Sequence, residues 1–259
     1  LVMLMPLALS HAFLGRGGAG QRIIAGYAAL VMLGGIAVTM SRGGWLGAGV
    51  AVATFSLWLL RRPQYRIPMA ALMAVLCIGS ITFLIQSEKA RARIDALTTS
   101  GKKDSGLFRA WLWKPALQMW SDHRLNGVGP GQFDTRFPAY RTPTTPLSPQ
   151  HVHNEYLELL VEYGAVGAGI VGLGLVAFGY GLYRTSRHVE RGSSDLGVKQ
   201  SNRTAFFAGS VAGLAGLGAH CFFDFNLHIP AIAVTASMVV DSCLLFFIVW
   251  RMWGWPAWG

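Results

Sequence analysis

The chain has 259 residues, of which 53% are hydrophobic and only 13% are charged, and its formal net charge is +10. An average soluble domain is about 25% charged, so half of the usual charge is missing. A membrane-spanning helix needs about 17–25 mostly apolar residues. Five runs of that length contain no Lys, Arg, Asp or Glu, namely 23–41, 43–60, 67–87, 163–183 and 204–223. The composition therefore excludes a soluble globular domain and indicates a polytopic membrane protein.

Two further apolar segments complete the predicted fold. Residues 1–15 are apolar but short and do not begin with Met, so we expect a helix cut by the start of an N-terminally truncated fragment. A last span is predicted at 230–250. The expected fold class is all-α, a transmembrane helical bundle of about seven spans. Four spans lie in residues 1–85 and three in residues 151–259, and a large outward loop with short interfacial helices, 86–150, separates them.

Orientation follows from the Lys and Arg residues of the short loops. Loops 16–22, 61–66 and 184–203 are rich in these residues, and they alternate with connections that have one or none. Because cytoplasmic loops of membrane proteins carry the excess of Lys and Arg, these three loops are predicted to be cytoplasmic. Arg42, the loop 86–150 and the turn 224–228 then face the periplasm or the cell exterior.

The outward loop 86–150 is itself basic, with ten Lys or Arg and five acidic residues. The positive-inside rule is weak for loops longer than about 60 residues, so this loop does not contradict the orientation. A basic outward surface favours an anionic ligand or lipid headgroup, and solvated charge without a ligand is the alternative. Within the loop, the Trp-rich segment 107–120 is typical of an interfacial helix, and 126–131 is a glycine-rich turn.

The densest polar cluster, HVHNEY at 151–156, lies where this loop re-enters the membrane. A histidine at such a boundary can act as a base near neutral pH, which makes His153 a candidate, although an interfacial histidine without a catalytic role is the alternative. On a helix, Glu155, Glu158 and Glu162 form one acidic stripe.

A second cluster consists of His220, Asp224 and His228, each four residues from the next. On one continuous helix the three would lie near one face, at a spacing that resembles a set of metal ligands. Pro230 and the turn-prone residues Asp224 and Asn226 instead predict that the helix ends inside this stretch. An outward turn with a structural or acceptor-binding role is therefore favoured over direct catalysis and over metal binding.

Glycines at small-xxx-small spacing predict close packing of membrane helices. Two such pairs are Gly43 with Gly47 and Gly209 with Gly213. Helix packing explains most of the 32 glycines without any catalytic role.

Several of these motifs occur together in one known group of proteins. His153-Asn154, nine residues, and then Gly164-Ala-Val-Gly167 resemble the His-Asn-x9-Gly-x-x-Gly motif of the O-antigen ligase and polymerase superfamily. Ser41-Arg42-Gly43-Gly44 is similar to its Ser-Arg-Gly element. Arg109 in FRAWLWKPALQMW and the following LNGVGPGQF at 125–133 resemble its loop segment, and the pattern at 220–230 resembles a C-terminal element. Ala168 departs from the Thr that ligases often have after this motif, a departure that concerns the ligase subtype.

The resemblance implies an integral-membrane glycosyltransferase of the bacterial cytoplasmic (inner) membrane, active in cell-envelope polysaccharide synthesis. Such enzymes take a glycan from an undecaprenyl-diphosphate carrier at the outer face of that membrane. The acceptor is a lipid A-core sugar, a growing polysaccharide or a protein side chain. Membrane lipids are the other expected partners, no nucleic acid is expected, and neither a cofactor nor a metal is implied.

The residue types suit this chemistry. A departing diphosphate needs positive charge, and arginine is always charged and bidentate toward phosphate, which makes Arg42 and Arg109 catalytic candidates. His153 is the candidate base for the acceptor hydroxyl. The candidate substrate-binding residues are Asn154, Arg136, Arg141, His220, Asp224 and His228.

The alternative function is a membrane transporter of bicarbonate or another anion. Transport favours inverted repeats, discontinuous helices and charge pairs at mid-membrane depth. The sequence shows no repeat, and its polar residues concentrate at one predicted membrane face. This asymmetry favours chemistry at the membrane surface.

Overall fold

The computed structural model describes residues 1–39, 41–86, 105–141, 149–194 and 200–253, and all regular structure in these ranges is helical. The predicted all-α class is thereby confirmed. The chain divides into two compact units. The bundle unit comprises Leu1–Phe55 and Gly169–Gly259, and the loop unit comprises Ser56–Ala168.

The helices follow the predicted spans and the Trp-rich segment of the loop. In chain order the α-helices are α1 (Leu4–Leu14), α2 (Ala19–Val38), α3 (Arg42–Leu60), α4 (Arg66–Gln86), α5 (Ser105–Asp122), α6 (Phe133–Arg136), α7 (Glu155–Ser194), α8 (Asn202–His220) and α9 (Pro230–Trp253). Short 3₁₀ turns lie at Pro63–Tyr65, Phe137–Ala139 and Asn226–His228.

Among the described residues, three helices are long and apolar enough to cross a membrane: α2, α3 and the stretch Glu155–Arg187 of α7. The predicted number of seven is therefore not reached. Helix α1 has 11 residues, about 17 Å, whereas the hydrocarbon core of a bilayer is about 30 Å thick. Helix α8 covers its predicted span, but its polar ends, Asn202 and Arg203 at the start and His220 at the end, and its four glycines lower its mean hydropathy. Helix α9 has 24 residues, and its side chains, like those of α4, are described only in part.

In the bundle unit, glycines of α8 allow α1 to approach it closely. A Cβ on Gly213 would lie 2.6 Å from the carbonyl oxygen of Met3, and one on Gly209 would lie 2.7 Å from the Cα of Leu7. Carbon atoms pack at about 3.5–4.0 Å, so a side chain at either position would force the helices apart. The predicted packing role of this glycine pair is confirmed.

Helices α3 and α8 also pack closely because each has a glycine at their crossing point. A Cβ on Gly47 would lie 2.7 Å from the carbonyl oxygen of Gly216, and a Cβ on Gly216 would lie 2.7 Å from the carbonyl oxygen of Gly47. The two backbones thus meet directly. One turn earlier on α3, Gly43 lies against the ring of His220. The predicted packing role of the pair Gly43 and Gly47 is therefore also confirmed.

The loop unit has its own apolar core. Helix α5 contributes one face to it, and the residues that follow this helix and the first turns of α7 close the core from other sides. The buried side chains are Leu112, Ala116, Met119, Phe133, Phe137, Val152, Leu157 and Val161. The segment 107–120 is therefore helical as predicted, and its apolar stripe is packed against the loop unit itself.

Candidate active site

Helix α7 begins at the predicted His-Asn motif, with Asn154 as its cap. The Asn154 side-chain oxygen accepts hydrogen bonds from the backbone N–H groups of Tyr156 and Leu157, both at 3.1 Å. Its carbonyl oxygen accepts the N–H of Glu158 at 2.9 Å. An asparagine cap satisfies donors that the first helical turn leaves unpaired. The structure thus gives Asn154 a role in starting α7, and its role as a substrate ligand stays a prediction.

His153 precedes this cap in an unusual backbone conformation. Its φ is +56°. Among the described residues, every other residue with positive φ is a glycine. The left-handed conformation costs a residue with a Cβ about 1–2 kcal/mol, and such residues cluster at functional sites. The ring is partly exposed. This conformation therefore sets His153 apart from its neighbours.

Glu158, one turn into α7, binds the two residues before His153. One carboxylate oxygen lies 2.7 Å from Nδ1 of His151, and the other accepts the backbone N–H of Val152 at 3.0 Å. The Glu158 side chain is 2% exposed, whereas that of His151 is 28% exposed. Sequence reasoning placed Glu158 in an acidic stripe and missed this pairing, because the contact requires the chain before α7 to fold back along it.

The whole predicted acidic stripe is buried. Glu155 and Glu162 are 9% and 5% exposed, alongside Glu158. Glu155 and Glu158 lie in the first turn of α7, where the positive end of the helix dipole favours negative charge. The stripe is therefore part of the interior of the protein.

Helix α7 is broken at Gly164, the first glycine of the Gly-x-x-Gly motif, where φ is +64° and ψ is −170°. The glycine-rich turn of the loop closes this break. The N–H groups of Val128 and Gly129 donate to the carbonyls of Val161 and Glu162, at 2.9 and 3.0 Å. The backbone polar groups that the broken helix exposes before Gly164 therefore have partners.

The residues just before this turn provide acceptors for the helix after the break. The N–H groups of Ala165 and Val166 donate to the carbonyls of Arg124 and Leu125, at 2.7 and 3.1 Å. Gly164 lies against the Leu125 carbonyl so closely that a Cβ would overlap it. The His-Asn-x9-Gly-x-x-Gly motif and the LNGVGPG segment thus form one hydrogen-bonded unit, which we call the glycine clamp.

The remaining predicted residues of the loop unit lie around this core. Arg136 ends α6, and both it and Arg141 are exposed. Arg109 lies on α5, and its side chain is outside the described residues.

Burial raises the pKa of Tyr140, a hydrogen bond to Asp122 raises it further, and Arg136 opposes the rise. The contact between Tyr140 and Asp122 links the 3₁₀ turn Phe137–Ala139 to the end of α5.

In the bundle unit, the Ser-Arg-Gly element starts α3. The Ser41 hydroxyl accepts the N–H of Gly44 at 3.2 Å, and the Ser41 carbonyl accepts the N–H of Trp45 at 2.9 Å. Arg42 is the first residue of the helix and is half-buried. A Cβ on Gly43 would lie 2.7 Å from Cδ2 of His220. The start of α3 thus meets the second polar cluster.

That second cluster is a turn between two helices. Helix α8 ends at His220, the 3₁₀ turn Asn226–His228 follows, and α9 begins at Pro230. The predicted end of the helix inside this stretch is confirmed. Nε2 of His220 lies 4.0 Å from a carboxylate oxygen of Asp224, and His228 is exposed on the 3₁₀ turn. The three residues therefore do not share one helix face, so the spacing that suggested metal ligands is not realised on a helix.

A model of the family described as O-antigen ligase matches residues 27–172, more than half of the chain. The matched segment includes the Ser-Arg-Gly element, the glycine-rich turn and the His-Asn motif, and it ends before His220. The match gives no support to anion transport. No curated protein matched the chain.

Proposed function

Because this chain belongs to the O-antigen ligase family, we propose that it transfers a glycan from an undecaprenyl-diphosphate carrier to a saccharide acceptor. At the family level it is a membrane enzyme that transfers glycans in polysaccharide and lipopolysaccharide biosynthesis. The proposed acceptor is the lipopolysaccharide core or a growing polysaccharide. The proposed location is the outer face of the bacterial cytoplasmic membrane, with the loop 86–150 on the periplasmic side.

The observation that carries this proposal is the backbone of His153. It lies inside the matched segment, its conformation is strained, and fixed residues stand on both sides of it. Strain of this kind persists only where the surrounding structure holds it. A partly exposed imidazole held in this way can take the proton of the acceptor hydroxyl.

The reaction needs one bond exchange. The acceptor oxygen attacks the anomeric carbon of the donor as its proton passes to His153, and the bond from that carbon to the diphosphate oxygen breaks. The diphosphate carrier leaves with the electron pair of that bond. Arg42 and Arg109 would stabilise the negative charge on the leaving group by bidentate hydrogen bonds. We expect this step to need no metal and no cofactor.

The remaining candidates bind substrate in this proposal. Exposed Arg136 and Arg141 would attract the diphosphate or an anionic glycan to the loop unit. Asn154, His220, Asp224 and His228 would contact sugar hydroxyls, for which amides, imidazoles and carboxylates are suitable partners.

Replacement of His153 by Ala tests the proposal. Loss of a general base lowers a rate by about 10²–10⁴-fold, so we expect glycan transfer by purified His153→Ala protein to fall at least about 100-fold. The assay uses a lipid-diphosphate-linked oligosaccharide and a lipid A-core acceptor, with a chelator in one arm to test metal dependence. His123→Ala, a change at another partly buried histidine of the loop unit, is the control and should retain activity. Wild-type turnover by His153→Ala would refute the assignment.

The surface polysaccharide of a deletion strain separates the two acceptor classes. Absence of all attached glycan indicates a ligase. Attachment of a single repeat unit indicates a polymerase.

A further inference from the structure

The segment before α7 is held at two points, one on each side of His153. On the N-terminal side, both oxygens of Glu158 are used, one by Nδ1 of His151 and one by the N–H of Val152. On the C-terminal side, Asn154 caps the helix. His153 therefore lies between two hydrogen-bonded anchors.

Packing reinforces the first point. The Val152 side chain is fully buried in the loop-unit core, together with Leu157 and Val161 of α7. With its side chain in the core and its N–H on Glu158, Val152 lies directly against the helix that it precedes. The chain must reverse direction between this residue and the cap. His153 makes that reversal, with φ at +56°.

We propose that Glu158 is a positioning residue for His153. By binding residues 151 and 152 together, its carboxylate holds His153 in the left-handed conformation and so sets the direction of the imidazole. This inference rests on the proposed function, in which His153 is the base. The buried carboxylate acts through hydrogen-bond geometry, and His151 serves as the donor that fixes one of its oxygens.

The geometry explains why a carboxyl group is buried here. A buried carboxylate is tolerated when its oxygens accept hydrogen bonds, and a position in the first turn of a helix adds a favourable dipole. Without Glu158, the buried N–H of Val152 would lose its acceptor. His153 could then relax to negative φ, a change that would turn its ring away from its present direction.

Paired variants at His151 give the first test, since that side chain is partly exposed. His151→Ala removes one donor to Glu158, whereas His151→Asn places an amide N–H close to the position of Nδ1 and restores it. We expect kcat to fall about tenfold in His151→Ala with KM within about twofold, and to return to within about threefold of wild type in His151→Asn. Small displacements of a catalytic group cost up to about 100-fold. Wild-type kcat in His151→Ala, or equal losses in both variants, would overturn the proposal.

A second pair changes the carboxylate itself. In Glu158→Gln the amide oxygen still accepts the N–H of Val152, and the amide N–H donates to Nδ1 of the other His151 tautomer. We expect this variant to keep kcat within about threefold of wild type, while Glu158→Leu loses about 100-fold. An equal loss of kcat in Glu158→Gln and Glu158→Leu would show that the reaction depends on the charge of Glu158 and not on its hydrogen-bond geometry. That result would overturn the positioning role. If Glu158→Leu fails to fold, the His151 pair and Glu158→Gln decide.

Glu162→Gln is the matched control. Glu162 is a buried acid one turn further along α7, and in the described part of the chain its carboxylate makes no hydrogen bond to residues 151–153. We expect wild-type kcat, and a loss equal to that of Glu158→Leu would overturn the proposal.

His153→Ala is measured in parallel. If it keeps wild-type kcat, the proposed function fails in its choice of base. If it is inactive while His151→Ala and Glu158→Leu keep wild-type kcat, the positioning role alone fails.

Discussion

The bundle unit and the loop unit each bring two sequence motifs together, but by different physical means. In the bundle unit, the start of α3 meets the end of α8 because glycines let the two backbones touch. In the loop unit, the glycine-rich turn meets the His-Asn-x9-Gly-x-x-Gly motif through four backbone hydrogen bonds across a broken helix. Close packing tolerates small adjustments of a helix, whereas a hydrogen-bonded clamp requires specific backbone angles. The loop unit should therefore be the more sensitive of the two.

The largest effect is expected at the glycine clamp. In Gly164→Ala the alanine must adopt positive φ, and its Cβ would overlap the carbonyl of Leu125. These two costs together should lower the free energy of unfolding by about 2–5 kcal/mol. Thermal unfolding in detergent measures the change. Gly169→Ala on the same helix has open space around its Cβ and is the control. Equal melting temperatures for the two variants would show that the clamp contributes little.

A smaller effect is expected at the crossing of α3 and α8. Gly47→Ala places a Cβ 2.7 Å from a carbonyl oxygen of α8, and overpacking of this kind costs about 1–3 kcal/mol. Gly49→Ala, two residues further along α3, meets nothing within 4 Å and should be neutral. The same unfolding assay applies. A loss at Gly47 that exceeds the loss at Gly164 would reverse the proposed ranking of the two units.

Substitution of Arg42 tests whether the Ser-Arg-Gly element at the start of α3 also has a catalytic role. Arg42→Lys keeps the positive charge but loses the bidentate fork, so we expect glycan transfer to fall about tenfold, as one strong hydrogen bond is worth about 1.4 kcal/mol. The unfolding temperature should stay close to that of wild type. Undiminished transfer would argue against bidentate binding of the diphosphate by this residue.

A smaller loss of stability than at either glycine is expected at the cap of α7. Asn154→Ala removes the acceptor for two backbone N–H groups and should cost about 1 kcal/mol, whereas Asn154→Ser should restore most of that loss. Unfolding in detergent measures both. If Asn154→Ser lost transfer activity while recovering stability, the amide would be needed for substrate as well as for the cap.

Much of the site was predictable because its motifs are contiguous in sequence. The end of α8 before the turn at Asp224 and Asn226, and the start of α7 after His153-Asn154, follow from local turn and capping preferences. The roles within the site were less accessible. Glu158 and His151 are seven residues apart, and only the fold-back of the chain shows that they pair. Among the described residues, fewer helices than predicted are candidate spans, because runs without charge measure composition, whereas crossing a membrane also requires a long and apolar helix.

The sequence by itself determined the all-α class, the family, the positions of most helices and the glycines at close helix crossings, because each depends on local pattern. Tertiary structure decided which motifs lie together. Gly127 and Gly164 are far apart in sequence, yet each occupies space that a Cβ on the other would need, and both have positive φ at this contact. The conformation of His153 also depends on folding, since the chain before α7 folds back along the helix and pairs with Glu158.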